Sequence, residues 1–167
     1  MAAESIDPEA APTDTSTVAD LRYANVSKLF RFLRSKTGSF DWEHVPIADY
    51  KPQDDSWRGV TRRVFVGETG ESPRFHLRYF EIERGGYTTL EEHQHEHAIF
   101  VARGRGQVVL GDETRDVRFG DVVYVAPGDS HQFRNNNDDE PFGFLCVVNA
   151  ERDRPQASDG RACAICE

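Results

Sequence analysis

Positive charge is scarce in this chain. Its 167 residues carry 20 Lys and Arg against 29 Asp and Glu, a formal net charge of −9, and a surface of that sign repels a phosphodiester backbone. With no pair of helices of the DNA-reading kind in view, a nucleic-acid partner is excluded. Long hydrophobic runs are also lacking. No stretch approaches the ~20 apolar residues of a membrane span, and Met1-Ala2-Ala3-Glu4-Ser5 opens acidic where a secretory signal runs basic and then apolar. The expectation is a cytoplasmic protein with no membrane partner. Cysteine is sparse, and three is an odd number, which leaves a thiol unpaired in a monomer and suits a reducing compartment. Cys146 lies in Phe142-Gly143-Phe144-Leu145-Cys146-Val147-Val148 and reads as a small buried hydrophobe. Cys163-Ala164-Ile165-Cys166 has the spacing of a metal or dithiol pair, but no second pair and no helix start accompany it, so it reads as part of a tail.

The length suits one domain with a substantial core and is short for two. Residues 1–20 are rich in Ala, Asp, Glu, Pro, Ser and Thr; with almost no large apolar side chain to offset ordering entropy, they are expected to form a disordered tail. Residues 21–60 read as a helix and an extended arm. Val26, Leu29, Phe30 and Leu33 recur at helical spacing, Lys28, Arg31 and Arg34 lie between them, and Gly38 is the stop. Across residues 61–150 the pattern becomes one of short strands: Arg62–Gly67, Phe75–Glu83, His97–Arg103, Gly106–Leu110, Arg115–Val117, Asp121–Val125, His131–Arg134 and Phe142–Val148. Turn residues separate them, among them Gly85-Gly86, Gly104, Gly111-Asp112, Gly120 and Pro127-Gly128. Many short strands with Gly-rich corners predict an all-β antiparallel sandwich or barrel. Residues 151–167 turn polar again and form a C-terminal tail that wraps the surface or moves freely.

One stretch is chemically dense. Glu91-Glu92-His93-Gln94-His95-Glu96-His97 puts three imidazoles and three carboxylates into seven residues, next to the apolar run Ile99-Phe100-Val101. Alternate residues of a strand share a face, so Glu91, His93, His95 and His97 are all candidate ligands. Imidazole suits Mn, Fe, Co, Ni, Cu and Zn, and a carboxylate beside three imidazoles brings a divalent site to about +1.

Two stretches resemble the cupin superfamily. Its first motif reads G, five residues, H-x-H, three or four residues, E, six residues, G. Here the frame runs Gly85, five residues, Glu91-x-His93, three residues, His97, six residues, Gly104, so Glu and His are exchanged within it. The second motif reads G, five residues, P-x-G, two residues, H, three residues, N; Gly120 to Asn135 matches it, with Pro127 one place late and His131 and Asn135 in position. The resemblance covers roughly residues 60–150. It implies a single cupin double-stranded β-helix, a jelly-roll-like barrel, which the short helix read from periodicity would precede. It also implies a homodimer and a divalent transition metal (Fe, Mn, Ni, Zn or Cu) on Glu91, His93, His97 and His131. In that frame His95 falls in the bend between ligands and turns outward.

Further candidates surround this set. His76 and Arg78 alternate with Phe80 and Ile82, as pocket residues holding an anionic substrate would. Tyr124 is a candidate acid or hydrogen-bond donor facing the cavity, and Glu91 a base if it leaves the metal. His44, beside Trp42, reads as structural. These readings point to a metal-dependent enzyme acting on a small molecule, with dioxygenase chemistry the first to test. A redox-silent isomerase or lyase, and a non-catalytic small-molecule or metal binder, are the alternatives.

Overall fold

The structure, a computed structural model, describes residues 27–34, 38–68, 70–71, 74–153 and 156–157. Within them β1 (Phe32–Arg34) and β2 (Phe40–Trp42) form a two-stranded ribbon. One antiparallel sheet takes the other strands: β3 (Ala48–Asp49), β4 (Arg58–Val66), β5 (Phe75–Tyr87), β6 (Glu91–Glu92), β7 (His97–Arg103), β8 (Arg105–Leu110), β9 (Glu113–Arg118), β10 (Val122–Val125), β11 (His131–Arg134), β12 (Phe142–Asn149) and β13 (Gln156–Ala157). Its path runs β10–β7–β12–β5–β11–β6–β13, with β4 added beside β5 and β8 beside β11. Long β5 bends the sheet. Its body pairs with β12 and β4, while Tyr87 at its end meets Arg134 of β11. The sheet thus curls over its own inner face as a half-barrel.

Alternation decides what lies inside. In β7, His97, Ile99 and Val101 are buried while Ala98 and Phe100 face out; in β10, Val123 and Val125 are buried between exposed Val122 and Tyr124. The inner residues join Trp57, Val60, Phe80, Ile82, Phe133, Phe142, Phe144 and Val148 in the main core. Each such side chain contributes roughly 1.5–3 kcal/mol by leaving water. Gly104 makes the β7–β8 corner. Its φ of +65° is in the left-handed region, and a Cβ there would stand 2.6 Å from the Pro141 carbonyl, so both backbone angle and space select glycine.

The opposite face of the sheet carries a second cluster. Phe65, Tyr79, Leu77 and Leu145 point outward and are covered by Phe30, Phe40, Trp42 and Val45. This covering arm corrects the expected helix. The predicted span Val26–Leu33 holds no helical turn in its described part, and Phe32–Arg34 form β1. The reason is packing: Phe30 sits edge-on against Phe65, and Phe32 against Phe40 and Trp42, and an extended arm is what reaches both contacts. His44 takes a positive φ of 61° in the turn that follows β2. The expected N-terminal tail, residues 1–20, and Cys163 and Cys166 lie outside the described residues.

Candidate metal centre

The dense stretch is not one continuous strand. β6 ends at Glu92, residues 93–96 bend, and β7 begins at His97. The bend folds the chain back so that His93 and His97 meet. Strand β11 supplies His131 opposite Glu91 in register. All three imidazoles are buried, and one ring nitrogen from each lies within 4.8 Å of the others. His93 Nε2 and His97 Nε2 are 2.8 Å apart.

The outer nitrogens of these rings are occupied. His93 Nδ1–H donates to the His95 carbonyl at 2.8 Å, and His131 Nδ1–H to the Asp129 carbonyl at 3.0 Å. Both bonds leave the Nε2 lone pair free to ligate, the arrangement by which backbone acceptors orient metal-bound imidazoles. His97 Nδ1 lies 3.1 Å from Cys146 Sγ. Burial, reinforced by the neighbouring His131, pushes the pKa of His93 down to about 4 and that of His97 to about 2; burial also lowers that of His131. Neutral imidazoles converging on one point are ligands ready for a cation, so the residues present fit a divalent transition metal.

Glu91 is placed differently. Its carboxylate is ion-paired with Lys51 and lines the same cavity, but it is not among the converging ligand atoms. His95, expected to turn outward, is buried. Its ring stacks on His93 with centroids 3.6 Å apart, and its Nδ1–H donates to Asp153 Oδ1 at 2.7 Å. Asp153 Oδ2 also accepts the Gln94 backbone N–H at 2.8 Å; these two donors, the Gln94 amide first, hold its pKa down at about 2. The polar C-terminal stretch therefore returns to the histidine loop, and β13 pairs with β6 beside it. Tyr124 is brought nowhere near the cavity: it is 60% exposed, because β10 registers it against outward-facing Ala98.

The cavity above the histidines measures about 220 Å³. Ile99, Phe133 and Phe144 make its apolar wall, and Tyr50, Lys51, Arg62, Arg78, Cys146 and Arg152 its polar one. Tyr50 has its pKa raised, by burial and then by the Glu91 charge, so the phenol stays protonated. Burial likewise raises that of the Cys146 thiol. Of the two expected pocket residues, Arg78 lines the cavity. His76 is not in its lining; it sits behind, against Gly67, with Arg152 Nη1 3.4 Å from its Nδ1. Tyr50, Lys51, Arg62, Arg152 and Asp153 were not visible as site residues in the sequence. A usable signal existed for Arg62 alone, a charged residue two places from Val60 and Val64 in a strand pattern.

Comparison with known proteins bears on the family and the fold. The family model for the cupin domain matches residues 78–148. The 1-methylthio-D-xylulose 5-phosphate methylsulfurylase of Rhodospirillum rubrum is 41% identical over 137 residues, spanning 80% of this chain and 82% of that protein. A solved cupin-2 domain from the same organism is 40% identical with a TM-score of 0.66, covering 77% of this chain and 83% of its own. A cupin 2 conserved barrel domain protein from Rhodopseudomonas palustris is 39% identical, also with a TM-score of 0.66, over 76% of this chain and 85% of that one.

Proposed function

The chain belongs to the cupin family, and on that premise we propose that it is a metal-dependent enzyme removing the methylthio group from a small keto-sugar phosphate. The observation that carries this reading is the convergence of buried His93, His97 and His131 on one another, with His97 and His131 lining the cavity. The name of the Rhodospirillum rubrum relative, 41% identical over most of both chains, supports the substrate.

His93, His97 and His131 would hold a divalent ion, which when bound would supply Lewis-acid polarisation of a carbonyl or hydroxyl oxygen. The chain's own residues do the rest. Glu91, held by Lys51 at the cavity wall, accepts the proton from C3 beside the carbonyl. The electron pair moves through the enediolate to break the C1–S bond, and methanethiolate takes up a proton and leaves as methanethiol. A 1-deoxy-2,3-dicarbonyl phosphate is the other product, with no redox partner required. Tyr50, kept protonated by its burial, donates a hydrogen bond to a substrate oxygen. Ile99, Phe133 and Phe144 exclude water and strengthen each of these interactions. Dioxygenase chemistry is the second reading, favoured by the same all-nitrogen ligand set facing an apolar wall.

The test is to load the purified protein with Mn, Fe, Ni, Zn or Cu in turn, supply 1-methylthio-D-xylulose 5-phosphate, and follow loss of the methylthio group together with oxygen uptake. Turnover without oxygen consumption is expected with at least one ion. Oxygen consumption coupled to turnover would move the assignment to the dioxygenase reading. A full metal complement in His93→Ala or His131→Ala would overturn the site itself.

A further inference from the structure

Four cationic side chains, Lys51, Arg62, Arg78 and Arg152, line the cavity against one carboxylate, Glu91. Lys51 is already ion-paired with Glu91. Among the described residues, none of the three guanidiniums has a carboxylate within ion-pair distance. The Nε atoms of Arg62 and Arg78 are buried with no hydrogen-bond partner. Arg78 is left with soft contacts, Cys146 Sγ at 3.6 Å and the face of Phe80 at 5.2 Å. Arg152 bonds to the Asn149 and Ala150 carbonyls and approaches the His76 ring. This lies inside a protein of net charge −9, yet the carboxylate influence on Arg152, that of Glu68, acts from beyond ion-pair distance. Charge withdrawn from water without a counter-charge is costly, and a cavity wall is where an incoming anion supplies it.

The sheet sets where that anion goes. β7, β12, β5 and β4 are consecutive neighbours, and their inner faces carry His97, Cys146, Arg78 and Arg62 in that order, with Cys146 directly opposite Arg78. From β7 to β5 is two strand spacings, roughly 10 Å along the sheet. The side chains converge from these strands: Arg78 Nη2 reaches Cys146 Sγ at 3.6 Å and that sulfur lies 3.1 Å from His97 Nδ1, so the guanidinium wall adjoins the imidazoles through Cys146.

Building on the reading that this cavity is the active site, we propose that Arg62, Arg78 and Arg152 form its subsite for the phosphate of a phosphate monoester, whose carbon end lies toward the imidazoles. A monoanion is satisfied by one guanidinium fork; three forks with no carboxylate of the described residues within ion-pair distance match a dianion bearing three peripheral oxygens. Burial, and then the charge of Arg78, already push the pKa of Arg152 downward, so a dianion between them relieves a repulsion built into the wall. Arg152 comes from the segment whose next residue, Asp153, holds the histidine loop, so one short stretch of chain supports both the guanidinium wall and the imidazoles.

The experiment uses full-length, metal-stripped protein and inorganic phosphate as the probe, with acetate at equal ionic strength as the monoanion. Saturable phosphate binding by calorimetry is expected, with acetate at least about tenfold weaker. Arg62→Gln, Arg78→Gln and Arg152→Gln each weaken phosphate by roughly tenfold or more, whereas Arg115→Gln, on an exposed strand and paired with Glu113, leaves it unchanged. Arg152 is half-buried in a connecting segment, so its variant keeps the test open where the strand variants fail to fold. His131→Ala loses metal and retains phosphate, which separates this subsite from the enzymatic reading. Absence of saturable phosphate binding, equal affinity for acetate, or wild-type affinity in Arg152→Gln overturns the proposal.

Discussion

Acidification from pH 7.5 to 5 destabilises the metal-free protein, and the histidine cluster sets how much. His93 and His97 are almost fully buried, 4% and 8% exposed, with folded pKa values of about 4 and about 2 against an unfolded value of about 6.5. As the pH falls below 6.5, the unfolded chain takes up protons that the folded chain refuses, so stability declines as pH falls; above pH 7 both states are neutral and the effect vanishes. At 1.36 kcal/mol per pH unit, each histidine costs roughly 2 kcal/mol by pH 5, about 4 kcal/mol for the pair, and His131, shifted the same way, adds to it. For a chain of this size that corresponds to roughly a 10 °C fall in melting temperature. The assay is thermal unfolding of chelator-treated protein across that pH range, with His97→Gln alongside. The variant removes one titrating group and flattens the slope by about a third to a half. A melting temperature independent of pH, or an equal slope in wild type and variant, would refute the picture of neutral imidazoles held together by burial.

Other perturbations separate the roles of individual residues. Glu91→Gln is expected to lower turnover by about 10²–10⁴-fold with metal content unchanged, since the carboxylate lies on Lys51 and outside the ligand cluster; loss of metal by elemental analysis would make it a ligand instead. Gly143→Ala is expected to lose about 1–3 kcal/mol in denaturant unfolding, because the new Cβ would stand 2.0 Å from the buried Tyr79 hydroxyl. Tyr124→Phe should leave kcat and KM within error, its phenol being on the outer face.

The strand pattern of residues 61–150 was readable because period-two alternation and glycine corners are local. Arg62–Gly67, Phe75–Glu83 and Phe142–Val148 all lie on or within a residue of observed strands. Parity was not readable where both neighbours are apolar. Val122-Val123-Tyr124-Val125 offers hydrophobes on either face, and only the register against β7, with Tyr124 opposite Ala98 and Val125 opposite His97, turns the tyrosine outward. The N-terminal arm failed for a related reason: Phe30 and Leu33 fit a helical stripe, yet aromatic contacts to Phe65 and Trp42 on the outer face decide in favour of extended chain.

The sequence by itself determined that three histidines, His93, His97 and His131, stand in two correctly spaced frames on a chain of short strands, because spacing along a strand and glycine corners are written in order of residues. Tertiary structure decided what surrounds them. It set Glu91 against Lys51, stacked His95 on His93 under Asp153, and drew Arg62 and Arg152 from separate segments onto the wall where alternation had already put Arg78. Those pairings depend on which strands become neighbours when the sheet curls, and no local pattern carries that information.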